Sequence, residues 1–269
     1  MHHYQNYFEA NRQLWDNKAR LHLHSEFYDQ ASFEAGKSSL NAIELGLLGA
    51  VEGTKTLHVQ CHFGQDSLSL VRMGAQVTGV DFSPQAIATA QEVAKKLDLS
   101  AQFICCNVLD MEQHLEEKFE LAFASYGISG WFPDFGAWAQ QVAQRLNIGG
   151  RLVLVDFHPA LWMFDDNFTH LQYSYFNKQL IEEIEDSTYT GQAQQTLPCY
   201  SWNHSLADIL TAFMEVGLEL KQFREYDYSP YPCFSKVVPR PEGGYYIQGL
   251  EGKLPMVYGL EMVKTSPSN

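Results

Sequence analysis

Between Lys55 and Asp156, short apolar runs of strand length alternate with longer stretches that carry a helical repeat. A chain with that rhythm has one economical solution, a parallel sheet with helices on both faces. Five strand candidates stand out: Thr56-Leu57-His58-Val59-Gln60, Gln76-Val77-Thr78-Gly79-Val80, Ala101-Gln102-Phe103-Ile104-Cys105, Leu121-Ala122-Phe123-Ala124 and Arg151-Leu152-Val153-Leu154-Val155. Ser83-Pro84 opens a helix, with serine as N-cap and proline in the first turn, and Ile87, Ala90, Ala94 and Leu97 turn one stripe toward the sheet. A second stripe, Phe135, Trp138, Val142 and Leu146, ends at Gly149-Gly150, where glycine permits a sharp exit.

Outside that block the pattern changes. The first fifty residues are helical in character and rich in aromatic and histidine side chains (Tyr4, Tyr7, Phe8, Trp15, His22, His24, Phe27, Tyr28), which reads as a cap. After Asp156 the regularity stops for about forty residues crowded with Trp162, Phe164, Phe168, Tyr173, Tyr175, Phe176, Tyr189, Tyr200 and Trp202, an insertion over one end of the sheet. Order returns at Ser205-Leu206-Ala207-Asp208, a capping-box pattern that starts a helix running through Val216 and stopping at Gly217. Leu218 to Arg224 and Met256 to Val263 are the last two strand-like runs, joined by a Pro- and Gly-rich connection, for seven strands in all. The expected organisation is one domain: a cap over 1–50, a core over 51–158, a lid over 159–203, a helix and strand pair over 204–264, and a frayed tail from Thr265 to Asn269.

The formal charge of −14, from 18 Lys plus Arg against 32 Asp plus Glu, argues against a surface that neutralises nucleic-acid phosphates. No apolar run approaches the roughly 18 residues of a membrane span, and Met1-His2-His3-Tyr4-Gln5 lacks the pattern of a secretory leader, so a cytoplasmic location is expected. Five cysteines (Cys61, Cys105, Cys106, Cys199, Cys233) without C-x-x-C spacing suggest neither a disulfide framework nor a thiolate metal site. His22 with His24, and His58 with His62, have no acid at ligand spacing, and no metal is expected.

The chemistry concentrates in His58-Val59-Gln60-Cys61-His62-Phe63-Gly64-Gln65-Asp66, followed by a helix, a second strand and Val80-Asp81-Phe82-Ser83-Pro84. In an open parallel sheet the ligand crevice lies beyond the carboxyl ends of the strands where strand order reverses, and the turn after the first strand is its floor. Asp81, closing the second strand, is placed to accept from both hydroxyls of an adenosine ribose, with Phe82 beside it for the adenine. Gly64 precedes Asp81 by 17 residues, close to the spacing of roughly 20 for such a pair.

In these features the sequence resembles the class I S-adenosylmethionine-dependent methyltransferases, over most of its length. The resemblance implies a Rossmann-like α/β fold: a seven-stranded, mostly parallel sheet with an antiparallel last strand, an N-terminal helical cap and an insertion after the fifth strand. It also implies S-adenosylmethionine as cofactor. The family's first motif has an acid followed by three glycines at alternate positions; here His58 stands for the acid, Gln60 and His62 for the first two glycines, and Gly64 for the third. Glycines there let the backbone approach the cofactor's methionine part, so the Gln60 and His62 side chains must turn away or touch the ligand themselves. The resemblance places Cys61 in the same turn, Asp66 near the cofactor's ammonium, Asn107 where an acid usually meets the adenine amino group, Val108 at the ring with its backbone N–H, and Ser125 and Tyr126 near the methionine and reacting methyl. Asn107 also suits a plain turn.

A nicotinamide dehydrogenase needs G-x-G-x-x-G for its pyrophosphate, which Gln60 to Asp66 does not provide, and Asp66 would repel a diphosphate. Methyl transfer itself asks mainly for in-line positioning and exclusion of water. Where the acceptor needs a base, His158, in Asp156-Phe157-His158-Pro159, and Tyr126 are the candidates, each equally suited to a structural role. Trp15 and Tyr28 could face a sulfonium or simply pack in the core. The expected partner is a small-molecule methyl acceptor, with the chain a monomer or homodimer. The other reading is a non-catalytic adenosyl-ligand-binding or regulatory protein on the same fold, suggested by the missing glycines.

Overall fold

A computed structural model describes residues 4–176 and 179–267. Met1, His2, His3 and the last two residues of the expected frayed tail lie outside them. The core strands are β1 (Lys55–Val59), β2 (Gln76–Asp81), β3 (Ala101–Cys105), β4 (Phe119–Ser125) and β5 (Leu146–Phe157). With β8 (Leu218–Tyr226) and β11 (Val257–Lys264) they form one seven-stranded sheet in the order β3-β2-β1-β4-β5-β11-β8. The five core strands run parallel, and β11 is antiparallel to both its neighbours. Strand order reverses between β1 and β4, which puts the crevice outside their carboxyl ends.

Alternation along the central strands sets the two cores. Leu121, Phe123, Val153 and Val155 enter one apolar cluster, whereas Ala122, Ala124, Leu152 and Leu154 enter the other. The alanines of β4 leave room for the wholly buried Trp138 of α6 (Phe135–Arg145), which packs beside α7 (Leu206–Glu215). Helix α3 (Ala42–Leu48) covers the opposite face at β5 and β11. Ser83 caps α5 (Pro84–Lys96) by accepting from the Ala86 N–H at 3.0 Å, and Ser205 caps α7 by accepting from the Asp208 N–H at 3.1 Å, as the sequence predicts. Each buried Leu or Val here contributes about 1.5–3 kcal/mol of transfer free energy.

Three expectations need correction. The aromatic stretch after Asp156 is not irregular throughout, because β6 (Ile181–Ser187) and β7 (Ala193–Ser201) form an antiparallel hairpin within it. The strand Ile181-Glu182-Glu183-Ile184-Glu185-Asp186-Ser187 is largely solvent-facing and lacks the alternation that betrays a half-buried strand. A smaller pair, β9 (Val237–Pro239) with β10 (Tyr245–Ile247), likewise occupies the Pro- and Gly-rich connection. Leu146, placed on the stripe of α6 by periodicity, instead begins β5 and is still buried.

The cap is helical as expected, with α1 (Gln5–His22), α2 (Gln30–Glu34) and α3 preceding β1. Helix α1 is fastened to the hairpin. Asn11 acts as a mock strand neighbour to Tyr200, donating to its carbonyl at 2.7 Å and accepting from its N–H at 2.9 Å. Lys18, buried, reaches Glu185 at 2.7 Å.

Candidate active site

The turn between β1 and α4 (Gln65–Arg72) has the backbone of a glycine loop with only the last of its three glycines. Gln60 and His62 have φ of 56° and 49°, in the left-handed region, and Gly64 follows at 82°. For non-glycine residues that conformation costs about 1–2 kcal/mol each, so surrounding contacts must hold it. Gln60 turns away from the crevice, its Oε1 accepting from the buried Trp138 indole N–H at 2.8 Å. His62 is held among cap side chains: its Nε2 lies 3.0 Å from His22 Nδ1, and its ring meets Trp15 at 5.4 Å and Tyr28 at 5.7 Å. Gly64 is required for a different reason, since a Cβ there would come within 2.9 Å of Ala90 and 3.0 Å of the Phe103 ring. Cys61 is buried, and its thiol donates to the His62 carbonyl.

Asp81 ends β2 directly beneath this turn. Its Oδ2 accepts from the His62 backbone N–H and its Oδ1 from that of Ser83, each at 2.9 Å. Burial raises its pKa to about 6 against those two hydrogen bonds. Each carboxylate oxygen has a second lone pair, so the group retains acceptor capacity beyond the backbone. Asp16 of α1 comes over the same corner, accepting from Ser83 Oγ at 2.6 Å and the Gln85 N–H at 3.2 Å. Phe82 is half-buried beside it.

Asn107 caps the short 3₁₀ turn Val108–Gln113, its side chain accepting from the Leu109 N–H at 3.0 Å. The turn role that its residue type suggests is therefore present, and Val108 is buried behind it. Asp66 bridges three elements: Oδ1 accepts from Ser39 Oγ at 2.6 Å and Oδ2 from Ser125 Oγ at 2.9 Å. Tyr126, with φ of 51°, donates its hydroxyl to Glu44 Oε2 at 3.0 Å. Gln60, Cys61, His62, Gly64, Asp66, Asp81, Ser125 and Tyr126 thus gather at the carboxyl edge. The His158 ring has both nitrogens engaged: Nδ1 accepts from the Ala160 N–H at 3.1 Å within its own turn, and Nε2 lies 2.9 Å from Glu225 of β8.

Three residues of this edge escape sequence reasoning. Asp156, read only as a strand end, accepts from the backbone N–H groups of Gly127 (2.6 Å), Ser129 (3.0 Å) and Phe157 (2.8 Å) and so shapes the loop after β4. Asp16 carries no local signal. Glu44 does carry one, because Asn41-x-x-Glu44 is a helix-start pattern, but nothing in that pattern points at Tyr126. No group of three or more His, Cys, Asp or Glu suited to a metal occurs among the described residues, and no helix there is long and apolar enough to cross a membrane.

The sheet order, the reversed final strand pair and a buried acid at the end of β2 beneath a left-handed turn together give the architecture of S-adenosylmethionine-dependent methyltransferases. A family profile described as a methyltransferase domain matches residues 50–211, and the chain belongs to that family. It is similar to the ubiquinone biosynthesis O-methyltransferases of Nitrobacter winogradskyi, 32% identical over 105 residues that cover 39% of each chain, and of a Bradyrhizobium species, 30% identical over 122 residues covering 45% of this chain and 44% of that one. The matched stretch therefore spans less than half the length of these curated relatives. Among solved structures, an S-adenosylmethionine-dependent methyltransferase from Mesorhizobium loti superposes with a TM-score of 0.56 at 18% identity, covering 86% of this chain and 99% of that one. A putative one from Listeria monocytogenes gives 0.55 at 15%, covering 88% and 100%.

Proposed function

We propose that the protein transfers a methyl group from S-adenosylmethionine to a small-molecule acceptor. The observation that carries this is the left-handed backbone at Gln60, His62 and Gly64 above the Asp81 carboxylate. The chain accepts the strain of two non-glycine residues at the positions where the fold needs backbone to approach a ligand.

The bound cofactor would supply an electrophilic methyl on a sulfonium. Asp81 would accept from the ribose hydroxyls and Phe82 would pack on the adenine, with Asn107 and Val108 at its edge. Backbone of Gln60, Cys61, His62 and Gly64 would line the methionine part, and Asp66, fixed by Ser39 and Ser125, would meet its ammonium. The cap and the hairpin would act as the lid: α1 fastened to β7 shields this edge from water, as displacement at carbon requires, and favours a small acceptor over a macromolecule. The two engaged nitrogens of His158 suit it to a structural role at the end of β5, which leaves Tyr126 as the group for the acceptor.

Calorimetric titration with S-adenosylmethionine and S-adenosylhomocysteine tests the reading, and micromolar-range binding that Asp81→Ala abolishes is expected. The crowding of His62 by His22, Trp15 and Tyr28 favours a second reading, a binding protein without turnover. Retained S-adenosylmethionine that yields no S-adenosylhomocysteine with hydroxyl, amine or thiol acceptors would establish it instead.

A further inference from the structure

Glu44 has no role in the reading above, yet it is wholly buried at the edge of the same site. One of its oxygens does ordinary work at the start of α3: Oε1 accepts from the Asn41 backbone N–H at 3.3 Å and from its side-chain amide at 3.0 Å. A glutamate with only that task sits at the surface, because burying a carboxylate is expensive. The other oxygen explains the position, since Oε2 faces the Tyr126 hydroxyl at 3.0 Å. The groups around this carboxyl are acidic or neutral: Asp66 from α4, Tyr126 from β4, and Tyr226, Tyr228 and Tyr231 from β8 and the segment after it. Burial, with the Asp66 charge added, raises its pKa to about 7.

The surroundings are aromatic. Tyr231 packs edge-on against Tyr126 at 5.0 Å and stacks on Phe27 at 5.4 Å, and Phe157 lies 5.4 Å from Tyr126 on another side.

Resting on the methyl-transfer reading, we infer that Tyr126 and Glu44 form a proton relay for an acceptor that is a phenol or enol. Tyr126 is the catalytic residue that touches the acceptor hydroxyl, and Glu44, acting through it, is a positioning residue that orients the tyrosine and stores the proton. The acceptor O–H proton passes to Tyr126 Oη as the tyrosine's own proton passes to Glu44 Oε2. The freed oxygen lone pair forms the O–CH3 bond while the S–CH3 bond breaks, leaving a methyl ether, S-adenosylhomocysteine and a protonated Glu44 that returns its proton to water on opening. A phenol, with an ordinary pKa of about 10, lies within reach of such an acceptor. An aliphatic alcohol is far too weak an acid, and an amine beside Glu44 and Asp66 would be held as its ammonium, with no lone pair to attack.

The test uses 7-hydroxy-4-methylcoumarin, a phenol whose absorbance reports its ionisation and whose transition lies above that of Glu44, added to the full chain loaded with S-adenosylhomocysteine at a pH between the two. Expected is the anionic spectrum on binding with no proton released to a weakly buffered solution. In Glu44→Gln and in Tyr126→Phe the dye should bind uncharged. With S-adenosylmethionine and catechol, both variants should lose about 100-fold in kcat, and the acid limb of the wild-type pH profile should vanish in Glu44→Gln. A dye that fails to bind, binds uncharged to the wild type, or ionises equally in all three proteins overturns the relay, as does methylation of benzylamine in preference to catechol. If Glu44→Gln does not fold, Tyr126→Phe, which removes one oxygen, decides alone. Absence of S-adenosylhomocysteine binding in the wild type would instead sink the underlying reading.

Discussion

His22, the last residue of α1, and His62, in the turn after β1, meet ring nitrogen to ring nitrogen at 3.0 Å. Burial lowers the pKa of His22 to about 2 and that of His62 to about 3, with the Lys18 charge adding to both, so the pair is neutral and one ring donates to the other. The unfolded chain binds protons at both sites near pH 6.5, so the stability these rings contribute is complete above that pH and is lost as pH falls toward 3. At pH 5 the loss amounts to at most about 2 kcal/mol per ring. Urea titrations at pH 7 and pH 5 should show it, and His22→Leu with His62→Asn should flatten the dependence. An unchanged slope in the double variant would disprove the assignment.

Asp81 has the opposite sign. Its folded pKa of about 6 lies above the ordinary carboxylate range, so the stability tied to its protonated form is present in acid and lost as pH rises through 6. A ribose diol needs the ionised form, and S-adenosylmethionine affinity should fall about tenfold per pH unit below 6. Asp81→Asn should bind about 100-fold more weakly at pH 8 and lose that pH dependence, read by calorimetry in both proteins.

The left-handed backbone at Gln60 sets an unusual order among its substitutions. Gln60→Ala and Gln60→Gly both strand the Trp138 indole N–H, but glycine also relieves the backbone strain. Gln60→Gly should be the more stable of the two by about 1 kcal/mol. Alanine is the better residue nearly everywhere else, so thermal melts that rank it first would contradict the strained turn.

The fastening of α1 to the hairpin predicts a coupling between distant chain segments. Lys18→Met leaves Glu185 without its cation and should destabilise the protein by about 3 kcal/mol. A double-mutant cycle with Glu185→Gln should return most of that loss. Limited proteolysis near the hairpin, faster in Lys18→Met, would show that this contact holds the hairpin down.

Asp156 concentrates its effect on one loop. Asp156→Ala removes the acceptor for the backbone N–H groups of Gly127, Ser129 and Phe157 and should cost about 3–5 kcal/mol. Because that loop carries Tyr126, turnover should suffer more than S-adenosylmethionine binding, a split that kcat and Kd measure separately.

The parallel core was legible in the sequence because strand alternation, helix stripes and serine caps are local properties: Ser83, Ser205 and the β4 run Leu121-Ala122-Phe123-Ala124 each declare their element within a few residues. Asp81 was legible for the same reason, as an acid at a strand's end. What the hairpin β6–β7 does was not, since its stability comes from α1 through Asn11 and Lys18 and not from its own apolar pattern. Only the tertiary structure decided that glutamine and histidine adopt the backbone of glycine, because the contacts that hold them, Trp138 and His22, come from 78 and 40 positions away. The same is true of Glu44, whose charge acquires chemical meaning only when folding removes water and brings Tyr126 from 82 positions along the chain.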